Sequence, residues 1–458
     1  METKENAVAG VWWLNPGYLF TLFMGTVIAG ASFIAPDNYD TFYRVRKFIA
    51  MSNIGYSIIP SICFAAGCLL AARMFRPLQS SGVFFASMSE HGRLFAFFIR
   101  LLFVFTMFGY AMWFLSMFSH GLSVSLLLAV LKGEPGAIFE IKHRFLTKIA
   151  GITSFTNFGI PFMILAVYFN RFAKRKSITA MIAVVSLLAV FRAVFFSERL
   201  AILEVLVPAV VVLIYLRLRE NRRPKLLNGY PLFGLAFVVL LFGAGEYFRS
   251  WVNYYQYVYP SYWDFILTRF FGYYVTALNT GTLYIEQFGF GSLPAPFFSL
   301  EWLWKFPLVP GDLYQSLYQA DPAGQFLNTL NVMGNPEFNN PSGLLLPYHD
   351  FGLFGGCVFW LLMGAISGAL YAFFCKGYTF GLLLYPIWLV GLLEIPRYLY
   401  FTSGRFFPTW VIVIGISFFL LFNRSKLRTT QPAVPKAGSG SDGESWLSAY
   451  GGGSKATP

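Results

Sequence analysis

Residues 177–217 read SITAMIAVVSLLAVFRAVFFSERLAILEVLVPAVVVLIYLR. Two apolar runs, roughly 177–196 and 200–217, meet at the polar turn Ser197-Glu198-Arg199. Arg171, Lys174, Arg175 and Lys176 precede the pair, and Arg217, Arg219, Arg222, Arg223 and Lys225 follow it. A run of about 20 apolar residues crosses a bilayer as a helix, because a helix satisfies its own backbone N–H and C=O groups in hydrocarbon. The stretch therefore predicts a helical hairpin through a membrane, with both basic ends on one side.

The rest of the chain repeats the pattern. Ten runs of this kind occur, at about 17–35, 50–73, 94–117, 149–169, 177–196, 200–217, 231–247, 347–374, 378–396 and 406–423. A further apolar stretch at 122–131 is too short to span, which leaves an interfacial helix or part of an extra or re-entrant one and widens the expectation to about 10–12 transmembrane helices. Composition agrees: of 458 residues, 57% are hydrophobic, 20% aromatic and only 12% charged. Ordinary soluble domains carry about twice that share of charge. A soluble enzyme, a disordered chain and a nucleic-acid binder are excluded, and the fold class is all-α, a polytopic integral membrane protein.

The net charge of +13 is then a statement about sidedness. Basic clusters follow the fourth, sixth and last spans, the last being Arg424, Lys426 and Arg428. Putting all three on the cytoplasmic side places both termini inside. The first apolar run has no small-residue cleavage site, so it reads as a retained span rather than a signal peptide. Domain organisation follows: residues 1–247 carry spans one to seven with short loops, 248–346 form a large external loop, 347–423 carry spans eight to ten, and 424–458 form a flexible Gly/Ser/Pro-rich cytoplasmic tail.

The external loop holds six acids against two bases between residues 250 and 346, and it is dense in Trp and Tyr. That aromatic density argues against disorder. Tyr262–Phe288 reads as a membrane-surface helix and residues 294–310 as irregular chain.

No phosphate-binding GxxxxGK[ST] loop, no DxD pair and no His/Cys cluster is present, so neither a metal nor a cofactor is expected. Cys63, Cys68, Cys357 and Cys375 lie in apolar runs and read as small hydrophobes. What stands out is a set of arginines at the expected outer membrane surface: Arg192, Arg199, Arg249, Arg397 and Arg405 near the ends of spans, and Arg269 on the loop's surface helix. Guanidinium groups bind phosphate bidentately and stay charged in a low dielectric, so six converging on one face could hold a pyrophosphate. The plainer reading has each one snorkelling or paired with an acid such as Glu198 or Glu394. If the helix persists through the hairpin, Arg192 and Arg199 share one face. Glu204, inside span six, reads first as the partner of one of them, with proton coupling in a transporter as the sharper alternative. His349 and Asp350, after Asn339-Asn340-Pro341-Ser342-Gly343 and Pro347, read as proton acceptors for a sugar hydroxyl, or equally the segment is structural, with Asp350 capping a helix and Gly355 and Gly356 packing it tightly.

At these residues the chain resembles the bacterial oligosaccharide repeat-unit polymerases of the O-antigen and enterobacterial common antigen type (Wzy-like). Phe196-Ser197-Glu198-Arg199-Leu200-Ala201 is similar to that family's Ser/Thr-Arg turn between two helices. Thr268-Arg269 with Tyr273-Tyr274 is similar to its arginine-bearing aromatic loop helix. Asn339-Asn340-Pro341-Ser342-Gly343 followed by Phe351-Gly352-Leu353-Phe354-Gly355-Gly356 is similar to the return of its loop into the membrane. The resemblance implies a metal-independent glycosyltransferase in the bacterial inner membrane that joins undecaprenyl-pyrophosphate-linked oligosaccharides at the periplasmic face. Its partners would be that lipid-linked glycan, membrane lipid and a chain-length regulator, with no nucleic acid. Arg199, Arg269 and Arg249, with His349 or Asp350 as base, would be catalytic. Arg192, Arg397, Arg405, Tyr273 and Tyr274 would bind substrate. A lipid-linked glycan ligase of related topology, and a transporter or flippase of lipid-linked sugars, are the alternatives; the latter predicts internal repeats, which the chain does not display.

Overall fold

A computed structural model describes residues 7–422, apart from 76, 77, 80, 135, 146–148, 150, 197 and 253. The predicted tail, 424–458, with its basic cluster, lies outside the described residues. Met1–Ser417 forms one unit and Phe418–Pro458 another, of which only the helical residues 418–422 are described. Among the described residues the regular structure is entirely helical.

The principal helices are α1 (Pro16–Phe33), α2 (Gly55–Met74), α3 (Gly92–Ser119), α4 (Gly159–Ala173), α5 (Lys176–Phe195), α6 (Leu200–Arg219), α7 (Tyr230–Glu246), α8 (Tyr262–Phe288), α9 (Leu346–Lys376), α10 (Thr379–Glu394) and α11 (Phe407–Phe422). Every predicted span is thus a helix, and α8 adds the predicted loop helix. Among the described residues seven helices are long and apolar enough to cross a membrane: α1, α2, α3, α5, α6, α7 together with its preceding turn from Leu227, and α9. The protein is a multi-pass membrane protein.

Three predicted spans are shorter helices. In α4 a 3-10 stretch, Thr153–Phe158, replaces the first turns, and residues 159–169 are buried on every side. In α10 residues 381–392 are likewise all buried. Helices enclosed by protein do not have to match the hydrocarbon thickness, and α4 and α10 are the inner members of the bundle. By contrast α7 turns Leu232, Phe233, Leu235 and Leu240 outward, the face a lipid-bathed helix presents.

Local chemistry sets the helix ends. The Asn15 side chain accepts from the backbone N–H groups of Gly17 and Tyr18, and Pro16 opens α1. Ser261 accepts from the Asp264 N–H at 3.1 Å while its hydroxyl donates to the Asp264 carboxylate, which starts α8. The closest helix approach is α2 against α9, where a Cβ on Gly364 would overlap the Phe64 carbonyl oxygen; small residues let the two backbones touch.

The connections sort into two ends of the bundle as the alternation requires. At one end Trp13 donates to the Leu227 carbonyl, the Ser81 N–H donates to the Lys376 carbonyl, and Arg171 pairs with Glu220. The other end gathers the α3–α4 connection, the α5–α6 turn, the large loop and the α10–α11 connection around one cavity. The large loop is woven into the protein: the Asn279 side chain accepts from the Phe48 and Ile49 N–H groups and donates to the Arg46 carbonyl. Residues 275–285 of α8 are all buried, so this half of the helix is enclosed, a departure from the expected surface helix.

Candidate functional site: an arginine-lined cavity

The cavity has a volume of about 760 Å³, and five of the six predicted arginines line it: Arg199, Arg249, Arg269, Arg397 and Arg405. Tyr273 and Tyr274 line it too, with Asn339 and Asn340. Residues as far apart as Ile138 and Arg405 meet because the helix ends and the large loop that carry them gather on the same side.

The α5–α6 turn supplies the first group. The helix does not persist through it: α5 stops at Phe195, and Arg199 caps α6. Arg192 therefore does not share a face with Arg199. It lies behind the cavity wall, bound through Nε to Glu198 at 2.6 Å and stacked 4.8 Å over Trp113. Arg199 reaches the other way, over the Phe242 ring at 4.1 Å and beside Gly245, to bind Glu246.

Glu246 is the organising residue, and the sequence reading missed it. It ends α7 with its carboxylate fully buried. Arg199 binds it, Arg249 sits 3.5 Å away one turn on, and Arg269 Nε lies 3.0 Å from its second oxygen. A buried charge needs paired partners, and here one carboxylate orients three guanidinium groups that would otherwise repel. The available signal was an acid closing an apolar run three residues before an arginine.

The remaining cations are paired in the same manner. Arg269 Nη1 also donates to Glu337 at 2.8 Å and to the Tyr255 hydroxyl at 3.2 Å. Burial pushes the Tyr255 phenol up to about 12. Burial acts to raise Glu337 as well, but the Tyr255 hydroxyl and Arg269 together hold its carboxyl below the ordinary value. Arg397 donates to Glu394 at 2.9 Å. Glu204 has the structural pairing expected of it, with a different partner: Arg405 binds it bidentately at 2.5 and 2.8 Å, and Tyr400 donates to it at 2.9 Å. Glu204 is thus neutralised by a residue of the α10–α11 connection, and neither Arg192 nor Arg199 reaches it in the described contacts.

Lys142, also absent from the sequence reading, lines the cavity from the turn Ile141–Phe145. Burial, and next the charge of Arg249, lower its pKa.

His349 and Asp350 are not among the lining residues. Gly352 has φ 71° and ψ −177°, a conformation open to glycine, and it breaks α9 so that residues 346–351 turn into the loop. There the Asp350 carboxylate accepts the backbone N–H groups of Phe297, Phe298 and Ser299 at 2.6–3.2 Å. His349 Nδ1 meets the Ser292 hydroxyl at 3.2 Å, and its ring packs 5.0 Å from Phe326. Asp350 is thus a cap, as the structural reading had it, though of the loop segment at residues 297–299 rather than of its own helix, and His349 packs against the loop.

Chemically, the arrangement is a half-enclosed void at the end of a membrane bundle, with charged groups set among largely apolar walls. Its walls present fixed guanidinium groups, each oriented by a carboxylate, and aromatic faces. Guanidinium groups held in this way are chemically suited to a polyanion. Comparison with known proteins returns no match: no family model, no curated protein and no solved structure matches the chain.

Proposed function

We propose that the protein polymerises surface polysaccharide as a metal-independent glycosyltransferase, joining undecaprenyl-pyrophosphate-linked oligosaccharide repeat units at the periplasmic face of a bacterial inner membrane. The observation that carries the reading is the convergence of Arg199, Arg249 and Arg269 on one buried carboxylate at the cavity wall. In the transfer an acceptor sugar hydroxyl attacks the anomeric carbon of the donor, the bond from that carbon to the pyrophosphate oxygen breaks, and the pyrophosphate departs with the electron pair. Charge grows on the leaving group, and preorganised cations aimed at it lower the barrier.

The acceptor proton needs a base inside the cavity, which His349 and Asp350 do not supply. Glu337 is the better-placed carboxylate. Its side chain is 46% exposed, against 17% for Glu198 and 4% for Glu394, and its recorded partners both use Oε2. Tyr273, Tyr274, Asn339 and Asn340 offer stacking faces and hydrogen bonds suited to sugars.

The test is the chain-length profile of surface polysaccharide from cells lacking the gene. The expected result is collapse of a ladder to a single repeat. Total loss of surface glycan, with long chains accumulating on the lipid carrier, would make the protein a ligase. An unchanged ladder would remove the reading.

A further inference from the structure

We propose that Lys142 is a ligand-contacting residue of the cavity, its ammonium group donating to a diphosphate that seats against Arg199 and Arg249. The inference rests on reading the cavity as a diphosphate site and is independent of whether glycosyl transfer follows.

Its place in the charge pattern singles Lys142 out. Each arginine of the cavity wall has a carboxylate: Glu246 for Arg199, Arg249 and Arg269, Glu394 for Arg397, and Glu204 for Arg405. Lys142 has none within ion-pair distance among the described residues. The charged groups that act on it are Arg249, Glu198, Arg199 and Glu246, and both acids are already engaged by arginines. A half-buried ammonium beside two guanidinium groups is unfavourable in itself, and an anion between them turns the repulsion into attraction.

The count of charge points to the ligand. Among the described residues that line the cavity stand six cations (Lys142, Arg199, Arg249, Arg269, Arg397, Arg405) and three carboxylates (Glu198, Glu337, Glu394), a positive lining that an anionic diphosphate offsets.

The backbone under Lys142 is held in place. Ile138 and Ile141 are buried in one apolar cluster with Trp113 of α3 and Phe196 of the α5–α6 turn. The anchored turn presents its lysine, a compact charge on a flexible stem, to the same space that Arg199 enters from the α5–α6 side.

The test uses the full-length protein in detergent, titrated with inorganic pyrophosphate and separately with farnesyl diphosphate, with binding read by calorimetry. Lys142→Met should weaken binding about tenfold, equal to roughly 1.4 kcal/mol, and Lys142→Arg should restore most of it. Weakening of both ligands supports the proposal with the diphosphate alone as the recognised group. Weakening of farnesyl diphosphate only supports it with the lipid-linked form as the source. Unchanged affinity for both in Lys142→Met overturns it, as does failure of the wild-type protein to bind either. Should Lys142→Met not fold, protection of Lys142 from acylation by bound farnesyl diphosphate, read by mass spectrometry, decides the point, and lack of protection overturns it. A collapsed glycan ladder on gene deletion together with unchanged Lys142→Met binding would remove this inference and leave the polymerase reading standing. An unchanged ladder with weakened Lys142→Met binding would do the reverse.

Discussion

Two regions touching the large loop both bury carboxylates, and they use them to opposite ends. At the cavity, Glu246 meets three side-chain cations, with the Ser250 hydroxyl beside them, and fixes where the guanidinium groups stand around a void. At the return of the loop into α9, Asp350 meets three backbone N–H groups and closes on them. The first arrangement leaves further donors for a ligand; the second turns both carboxylate oxygens to holding residues 297–299. A buried acid therefore marks a candidate site by what surrounds it, and its mere presence in a membrane protein does not.

The comparison breaks most sharply at Glu246. Glu246→Ala leaves three guanidinium groups in mutual repulsion, and removing one partner of a buried ionic cluster costs about 3–5 kcal/mol. The expected outcome is a lowered melting temperature in detergent, partly rescued in Glu246→Gln; an unaltered melting temperature would mean that the arginines are held by something else. Next in size is the catalytic effect. Arg199→Ala and Arg269→Ala should each slow glycan lengthening by about 10²–10³, the typical cost of deleting one charge-stabilising donor, while the protein stays in the membrane. His349→Ala should leave lengthening intact. An equal loss in all three, measured on the ladder at matched protein levels, would erase the distinction between the two regions. Smallest is Asp350→Ala, which strands the N–H groups of residues 297–299 and should lower stability by about 1.5–3 kcal/mol. Lengthening per folded molecule should be unchanged at permissive temperature, and a specific loss of turnover would return Asp350 to the site.

Most of the helical framework was legible in advance. The ten apolar runs all became helices, and Tyr262–Phe288 matched its predicted bounds because Ser261 and Asp264 write a capping signal into the sequence. Lengths were legible only where lipid sets them: α4 and α10 are shorter than a bilayer asks because protein surrounds them. For the site, the residue type was readable and the pairing was not. Arg405 and Glu204 lie two hundred positions apart, and the sequence offers nearer partners for each. Glu246 hid at the end of an apolar run, and Lys142 in a connection with no pattern of its own.

By itself the sequence determined that this chain is a multi-pass membrane protein, where its apolar helices lie, and that an unusual number of arginines stand near the ends of its apolar runs. Hydrophobic transfer accumulates residue by residue along the chain, so it can be summed without knowing the fold. Only the tertiary structure decided which arginine meets which carboxylate, that five of the arginines share one cavity with Lys142, and that His349 and Asp350 do not line it. Coulomb energy depends on distance in space and on the local dielectric, and neither is written in the order of the residues.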